Sequence, residues 1–178
     1  METQKTSETM ENTSRNAFIW TIIATIGFLG MFMSFGFAEK SEDMKYVLTF
    51  FAVLSHLALL PITASLTAPS WAKVGGYSWA IVDTILAIAT LHGVDENIIK
   101  PMRLGMHTAV AVWPLGVGLA NKGFIRWAGY SLAITIGVVP LLGKLVPPEL
   151  MFIAAPFIFI FLGAIAWKFN KQNQIQTK

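Results

Sequence analysis

Long apolar blocks alternate along this chain with short polar segments. A helix that crosses a bilayer needs about 20 mainly apolar residues, because each adds 1.5 Å along a core of about 30 Å. Most of the blocks approach this length, and the third and fourth are shorter. We therefore predict an all-α fold, a polytopic membrane helix bundle with six transmembrane helices. The predicted spans are Ala17–Ala38, Tyr46–Leu66, Gly76–Leu91, Leu104–Ala120, Phe124–Leu142 and Leu150–Trp167.

The polar links between the blocks are short, as at Glu39–Asp43 and Asn121–Gly123. Links of this length make consecutive helices antiparallel neighbours, so we predict one domain. It comprises a polar N-terminal tail at 1–16, a six-helix transmembrane domain at 17–169 and a polar C-terminal tail at 170–178. The N-terminal tail stays polar for too long to be a signal peptide, so we expect the first apolar block to remain as a helix.

Lysine, arginine and tryptophan indicate an orientation. With six spans, eight Lys and Arg residues fall on the side of the termini and five on the opposite side. Basic residues are enriched on the cytoplasmic side, so we predict that both termini are cytoplasmic and that the protein lies in a cell membrane. Five of the six tryptophans would lie at the cytoplasmic interface, where indole rings are favoured. These are Trp20, Trp71, Trp79, Trp127 and Trp167, whereas Trp113 lies within a span.

Composition agrees with this interpretation. Apolar residues make up 54% of the chain and charged residues 13%, whereas soluble domains contain about 25% charged residues. The absence of cysteine excludes disulfides, thiol catalysis and cysteine-based metal sites. We attribute the net charge of +3 to basic residues at the cytoplasmic boundary. The lipid bilayer is therefore the expected partner, and we expect no nucleic-acid binding.

Asp83 is the only acidic residue inside the six predicted spans. It lies about 10 Å from the predicted cytoplasmic end of its helix, where a carboxylate is costly unless it is paired, protonated or hydrated. Gly76 and Trp79 share its helical face, so we predict that Asp83 points between helices. One interpretation is a proton or cation site, or a counter-ion for a bound ligand. The other is a hydrogen-bonded acid that holds helices together.

His56 lies near the middle of the second predicted span, within about 5 Å of Asp83 in depth. We predict that the two side chains meet within hydrogen-bonding distance, directly or through one water. The pairing would offset the cost of burying either group, and histidine titrates near neutrality, so the pair could pass protons. A simple interhelical hydrogen bond, worth about 0.6 kcal/mol in membranes, is the alternative. Asp83 and His56 form the candidate ligand or proton site.

A second polar cluster is predicted at the external end of the bundle. Arg103 and His107 are four residues apart and share a helical face. The residues that would lie opposite them at the external end are His92, Asp95, Glu96 and Glu149. One interpretation is an outward vestibule for an anion or polar ligand. The alternative is that Arg103 extends to the lipid headgroups and the acidic residues are solvated at loop ends.

Histidine on separate helices can bind b-type haem. His56 and His107 are the only pair at comparable depth, but their positions differ by about 6 Å along the membrane normal. A metal site at His92, His107 and Glu149 lacks the spacing of zinc-binding motifs. There is no G-x-S-x-G sequence for serine catalysis. We expect no enzyme activity, metal site or cofactor, with b-haem as the remaining alternative.

The stretch from Trp113 to Gly137 begins Trp-Pro-Leu-Gly-Val-Gly-Leu-Ala-Asn-Lys-Gly-Phe and continues into a glycine-containing helix. It resembles bacterial multi-pass membrane proteins of the domain-of-unknown-function 4386 type, and the likeness extends over Met102–Trp167. Glu149 would correspond to the acidic start of the last helix in that family. The resemblance implies a six-helix membrane fold and no particular chemistry.

Three classes of function remain open. We favour a bundle that binds or passes a small molecule or ion, with proton linkage as one form of this activity. The principal alternative is a non-catalytic accessory or immunity-type protein that packs against a membrane-protein partner or a second copy of itself. The third class is a redox subunit with b-haem.

Overall fold

The computed structural model describes residues 2–38, 41–142 and 153–176. These three segments are helical, with no strand in any of them. The helices are α1 (Glu2–Ala38), α2 (Glu42–Ser65), α3 (Ser70–Leu91), α4 (Glu96–Val110), α5 (Val112–Ala120), α6 (Phe124–Leu142) and α7 (Ala154–Gln176).

Four of these helices are long and apolar enough to cross a membrane: α2, α3, α6 and the part of α1 from Ser14 to Phe35. The predicted all-helical fold is therefore confirmed, and the apolar helices are compatible with a membrane protein. Neither half of the predicted fourth span is long enough alone, because the chain breaks there into α4 and α5. The predicted sixth span begins outside the described residues, and the helix that follows, α7, ends in a polar stretch.

The helices form a closed ring in chain order. Helix α1 packs against α2 and α2 against α3, while α4 and α5 pack between α3 and α6. Helix α7 then closes the ring by packing against both α6 and α1. Ser14 of α1 hydrogen-bonds to Asn173 of α7, so the N-terminal half of α1 lies beside the C-terminal end of α7. The first and last described helices therefore reach the same end of the bundle.

A row of aromatic rings fills the centre of the ring. The Phe28 and Trp79 ring centroids are 6.0 Å apart, those of Trp79 and Trp113 are 5.9 Å apart, and Trp113 lies 5.4 Å from Phe161. Neighbouring rings are tilted or edge-on, as the charge distribution of aromatic rings favours. This row joins α1, α3, α5 and α7 across the bundle.

Two glycines let neighbouring helices approach closely. A Cβ atom on Gly27 of α1 would lie 2.8 Å from the Ser55 backbone of α2. A Cβ on Gly116 of α5 would lie 2.1 Å from the Cβ of Ala72 in α3. Both distances are too short for a side chain, so these two glycines allow the close contact between the helices.

The predicted fourth span ends correctly at Ala120, but its predicted start and its predicted continuity are wrong. Helix α4 begins at Glu96, where Asp95 caps it by accepting a hydrogen bond from the Asn97 amide at 2.9 Å, and not at Leu104. The helix is interrupted at Ala111 because Pro114 has no amide hydrogen to donate four residues back and its ring would clash with the carbonyl there. Helix α1 begins at Glu2 and α7 continues to Gln176, so helix extends into both segments that were predicted as polar tails.

Candidate functional site

The carboxylate of Asp83 lies at the centre of a buried polar cluster. Asp83 is 4% exposed, and its Oδ2 atom accepts a hydrogen bond from the Trp79 indole nitrogen at 2.8 Å. His56 Nε2 lies 3.0 Å from the same oxygen, and His107 Nε2 lies 3.1 Å from it. The predicted contact between His56 and Asp83 is therefore confirmed.

Arg103 supplies a cation at the other carboxylate oxygen. Its Nε atom lies 3.4 Å from Asp83 Oδ1, and Oδ1 is buried without a hydrogen-bond partner among the described residues. The contact therefore acts through charge more than through hydrogen bonding, because 3.4 Å exceeds the usual N–H···O distance. A small movement of the Arg103 side chain would complete the bond.

Three helices bring these groups together. Trp79 and Asp83 are four residues apart on α3, and Arg103 and His107 are four residues apart on α4. Each pair therefore projects from one face of its helix. His56 reaches the same oxygen from α2. The cluster thus connects three consecutive helices of the ring.

The hydrogen bonds of His56 fix the position of its protons. The Nδ1 atom lies 2.7 Å from the Ala52 carbonyl oxygen, which can only accept, so Nδ1 carries a hydrogen. The Nε2 atom faces Asp83 Oδ2 at 3.0 Å, and this contact needs a second hydrogen between the two atoms. That hydrogen makes His56 an imidazolium or Asp83 a carboxylic acid. The His56–Asp83 pair therefore holds one more proton than a neutral histidine beside an ionised aspartate would hold.

The surroundings of Oδ2 favour the ionised form of Asp83. A protonated Oδ2 could donate to one imidazole only, while Trp79 and the other imidazole would still need acceptor sites on that oxygen. An ionised Oδ2 accepts from all three nitrogens when His56 is an imidazolium and His107 carries its hydrogen on Nε2. With Arg103, the cluster in this arrangement has two cations and one anion.

Aromatic rings surround the cluster on its inner side. The Trp79 ring lies 5.9 Å from the His56 ring and 6.3 Å from the His107 ring, and Phe28 lies 5.3 Å from His56. Apolar walls lower the local dielectric, which strengthens the attraction between the opposite charges. Trp79 therefore contributes both a hydrogen bond and part of this wall.

In the described part of the chain, the exposed side of the cluster is the side of α4. The side chains of His107 and Arg103 are 29% and 38% exposed, whereas those of Asp83 and His56 are 5% and 6% exposed. A proton or small ion that approached from the α4 side would meet His107 or Arg103 first and Asp83 next. Asp83 and His56 are buried to nearly the same degree.

The structure does not bring the residues of the predicted external cluster together in one place. Arg103 and His107 join Asp83, because α4 begins at Glu96 and places both residues well inside the helix. His92 is exposed beyond the end of α3 and is not among the described hydrogen-bond or ion-pair partners of Asp83. Glu149 lies outside the described residues. His56 and His107 were expected to differ in depth along the membrane normal. Their side chains nevertheless meet, since both imidazole rings reach Asp83 Oδ2.

The geometry suits hydrogen bonding more than metal or haem ligation. Both imidazole nitrogens that would act as ligands point at Asp83 Oδ2 and lie at hydrogen-bond distances from it. Over the described ranges, no three histidine or acidic side chains are arranged to hold a metal ion. Bis-histidine haem ligation would require iron between the two nitrogens, and the Asp83 carboxylate occupies that position.

Sequence reasoning missed the role of Trp79. Its position four residues before Asp83 shows that it shares that face, but the prediction placed it in an interfacial belt. The structure buries it, with 2% exposure, inside the ring. Two further polar atoms in the core, Thr63 Oγ1 and Trp113 Nε1, have no hydrogen-bond partner within the described part of the chain.

No family model matches the chain, and no curated protein or solved structure shows significant similarity to it. The resemblance of Met102–Trp167 to the domain-of-unknown-function 4386 type therefore stays a prediction.

Proposed function

We propose that this chain is a six-span protein of a bacterial cell membrane that binds or passes a proton-linked ion or small molecule through the Asp83 cluster. The observation that carries the proposal is the convergence of His56, His107 and Trp79 on one buried carboxylate oxygen. Ionisable groups inside membrane helices are costly and typically occur at ion or proton pathways.

The cluster has the parts that proton binding needs. His56 and Asp83 share a hydrogen that can reside on either partner. The side chain of His107 is partly exposed and can exchange a proton with Asp83 across a 3.1 Å contact. With Asp83 ionised and His56 and Arg103 charged, the cluster has one net positive charge, and loss of one proton makes it neutral. Proton loss would therefore change the affinity for an anion or cation beside Arg103.

Contacts at one end of the bundle support the proposed orientation. Asn121 Nδ2 donates to the Thr67 carbonyl at 2.9 Å, and Lys168 donates to Asn121 Oδ1 at 2.6 Å. The α2–α3 link, the α5–α6 link and the end of α7 therefore meet at one end, which also carries the Ser14–Asn173 contact. These links and helix ends are expected to lie at one end of the bundle if six membrane spans alternate in direction. The lysines there favour the cytoplasmic side.

Proton flux into liposomes tests the proposal. Purified protein is reconstituted with a pH-sensitive dye inside, and a potassium diffusion potential drives protons inward. We expect wild type to acidify the interior and Asp83→Asn to lower the initial rate by about tenfold or more, since the titrating group is gone. Asp95→Asn is the matched control, because Asp95 is an exposed helix cap and asparagine caps equally well.

Two results would contradict the proposal. One is a wild-type flux no greater than that of protein-free liposomes, and the other is an Asp83→Asn variant with full flux. Either would favour the alternative of a non-catalytic accessory or immunity-type protein, in which Asp83 only holds helices together. An absorbance spectrum of the purified protein addresses the b-haem alternative, and we expect no Soret band.

A further inference from the structure

A cavity of about 400 Å³ lies between the start of α6 and the end of α7. Its lining includes three lysines, Lys122, Lys168 and Lys171, together with the Trp167 ring and the Asn121 side chain. It is far from the Asp83 cluster along the chain and shares no residue with it. The cavity therefore needs an explanation of its own.

Among the side chains that the structure describes, no carboxylate forms an ion pair with these lysines. The lysines that form ion pairs there are Lys45 and Lys100, each with an acid on its own helix. The lining of the cavity contains no aspartate or glutamate. Three like charges beside one concave surface create a positive potential that attracts an anion.

Of the three lysines, Lys168 gives the strongest support for anion binding in the cavity. It is partly buried, yet its ammonium group donates only to neutral oxygens, Asn121 Oδ1 at 2.6 Å and Thr67 Oγ1 at 3.5 Å. Burial lowers the pKa of Lys168 from its ordinary value. A partly buried cation without an anionic partner is costly, so an anion in the cavity would stabilise it.

The backbone adds to the positive potential. Helix α6 begins at Phe124 on the cavity wall, and the first amides of a helix lack intrahelical acceptors and carry partial positive charge. The ammonium group of Lys171 lies 5.6 Å from the centre of the Trp167 ring. Indole and lysine together are typical of the membrane–water interface, where phospholipid headgroups lie.

We propose that this cavity binds a phosphate group, carried either by an anionic phospholipid headgroup or by a soluble phosphate. Lys122, Lys168 and Lys171 surround the phosphate oxygens, and the start of α6 contributes backbone amides. Basic pockets between helices on the cytoplasmic side suit anionic headgroups. The site does not depend on the Asp83 cluster or on its proposed proton chemistry.

Thermal unfolding in neutral detergent tests this site. Unfolding temperature is followed while phosphatidylglycerol, phosphatidylcholine or inorganic phosphate is added to wild type and to Lys168→Gln/Lys171→Gln. Glutamine at 168 can still donate to Asn121, so the double variant is expected to fold. Lys73→Gln is the matched control, because Lys73 is a lysine near the same end that bonds to the Ala64 carbonyl and does not line the cavity.

We expect phosphatidylglycerol to raise the unfolding temperature of wild type and Lys73→Gln, with phosphatidylcholine having little effect. Each lysine removed is expected to weaken apparent affinity about fivefold, so the double variant loses most of the shift. An equal shift with inorganic phosphate, also lost in the double variant, would support the site and identify a soluble ligand.

No shift with either anion, or a shift that survives in the double variant, would overturn the proposal. If the double variant does not fold, the single exposed-site variant Lys122→Gln gives the same comparison.

Discussion

Removal of the Asp83 side chain is the most direct test of what holds α2, α3 and α4 together. Asp83→Ala leaves the Trp79 indole and two imidazoles without the oxygen that they now share. It also removes the anion that offsets the charge of Arg103. The rest of the bundle is unchanged, since these contacts lie on one face of α3.

The structure sets limits on the size of this effect. Three hydrogen bonds at the membrane average of about 0.6 kcal/mol each give a lower limit near 2 kcal/mol. Removing one partner of a buried ion pair costs about 3–5 kcal/mol when the remaining charge is not compensated. His56 can lose its proton and Arg103 can move toward the exposed side, so we expect a loss of about 2–4 kcal/mol in the free energy of unfolding.

Equilibrium unfolding in mixed detergent micelles measures this loss. Asp83→Asn should cost less, about 1–3 kcal/mol, because the amide satisfies some but not all of the donors. A double-mutant cycle with His56→Ala isolates the pair, and we expect a coupling energy above the membrane hydrogen-bond average of about 0.6 kcal/mol. A loss below about 0.5 kcal/mol for Asp83→Ala, the level of an ordinary surface substitution, would refute the reasoning.

Three further predictions concern packing, the core and topology. Gly116→Val should destabilise the fold by about 1–3 kcal/mol, because its Cβ would collide with α3, whereas Gly163→Ala, with open space at its Cβ, should be nearly neutral in the same unfolding assay. Thr63→Val should stabilise the protein by about 1 kcal/mol, because it removes a buried hydroxyl without a hydrogen-bond partner. Thr21→Val is its control and should not stabilise, since Thr21 donates to a carbonyl at 2.7 Å. In this cysteine-free chain, Ser70→Cys should resist an impermeant thiol reagent added outside intact cells, and its labelling would contradict cytoplasmic termini.

The extent of the helices was largely predictable, because apolar block length is a local property of the sequence. Phe124–Leu142 was predicted as a span and forms α6 over the same residues. The His56–Asp83 contact was also predictable, since a short link makes α2 and α3 antiparallel neighbours and residue counting gives similar depths. Both inferences needed only helical geometry and the cost of burying polar groups.

The position of α4 was not predictable in the same way. The sequence before Leu104 contains Lys100, Pro101 and Arg103 and is not apolar enough to be recognised as part of a span. It nevertheless forms helix, because Asp95 caps the first turn and α4 lies against α3 and α6 as an amphipathic helix. The cap and the tertiary packing together determine where this helix begins, and the length of the apolar block alone could not show it.

The break at Ala111 explains why one segment takes part in two different kinds of contact. On its C-terminal side, Gly116 brings α5 into close contact with the small residue Ala72 of α3. On its N-terminal side, the long side chains of Arg103 and His107 reach Asp83 further along the same helix. A straight helix would hold the α4 and α5 segments at one angle to α3. Close packing of Gly116 on Ala72 would then constrain the distance between α4 and α3 near Asp83. The interruption at Ala111, which Pro114 imposes, lies between these two contacts and so separates the segment that packs against Ala72 from the segment whose side chains reach Asp83.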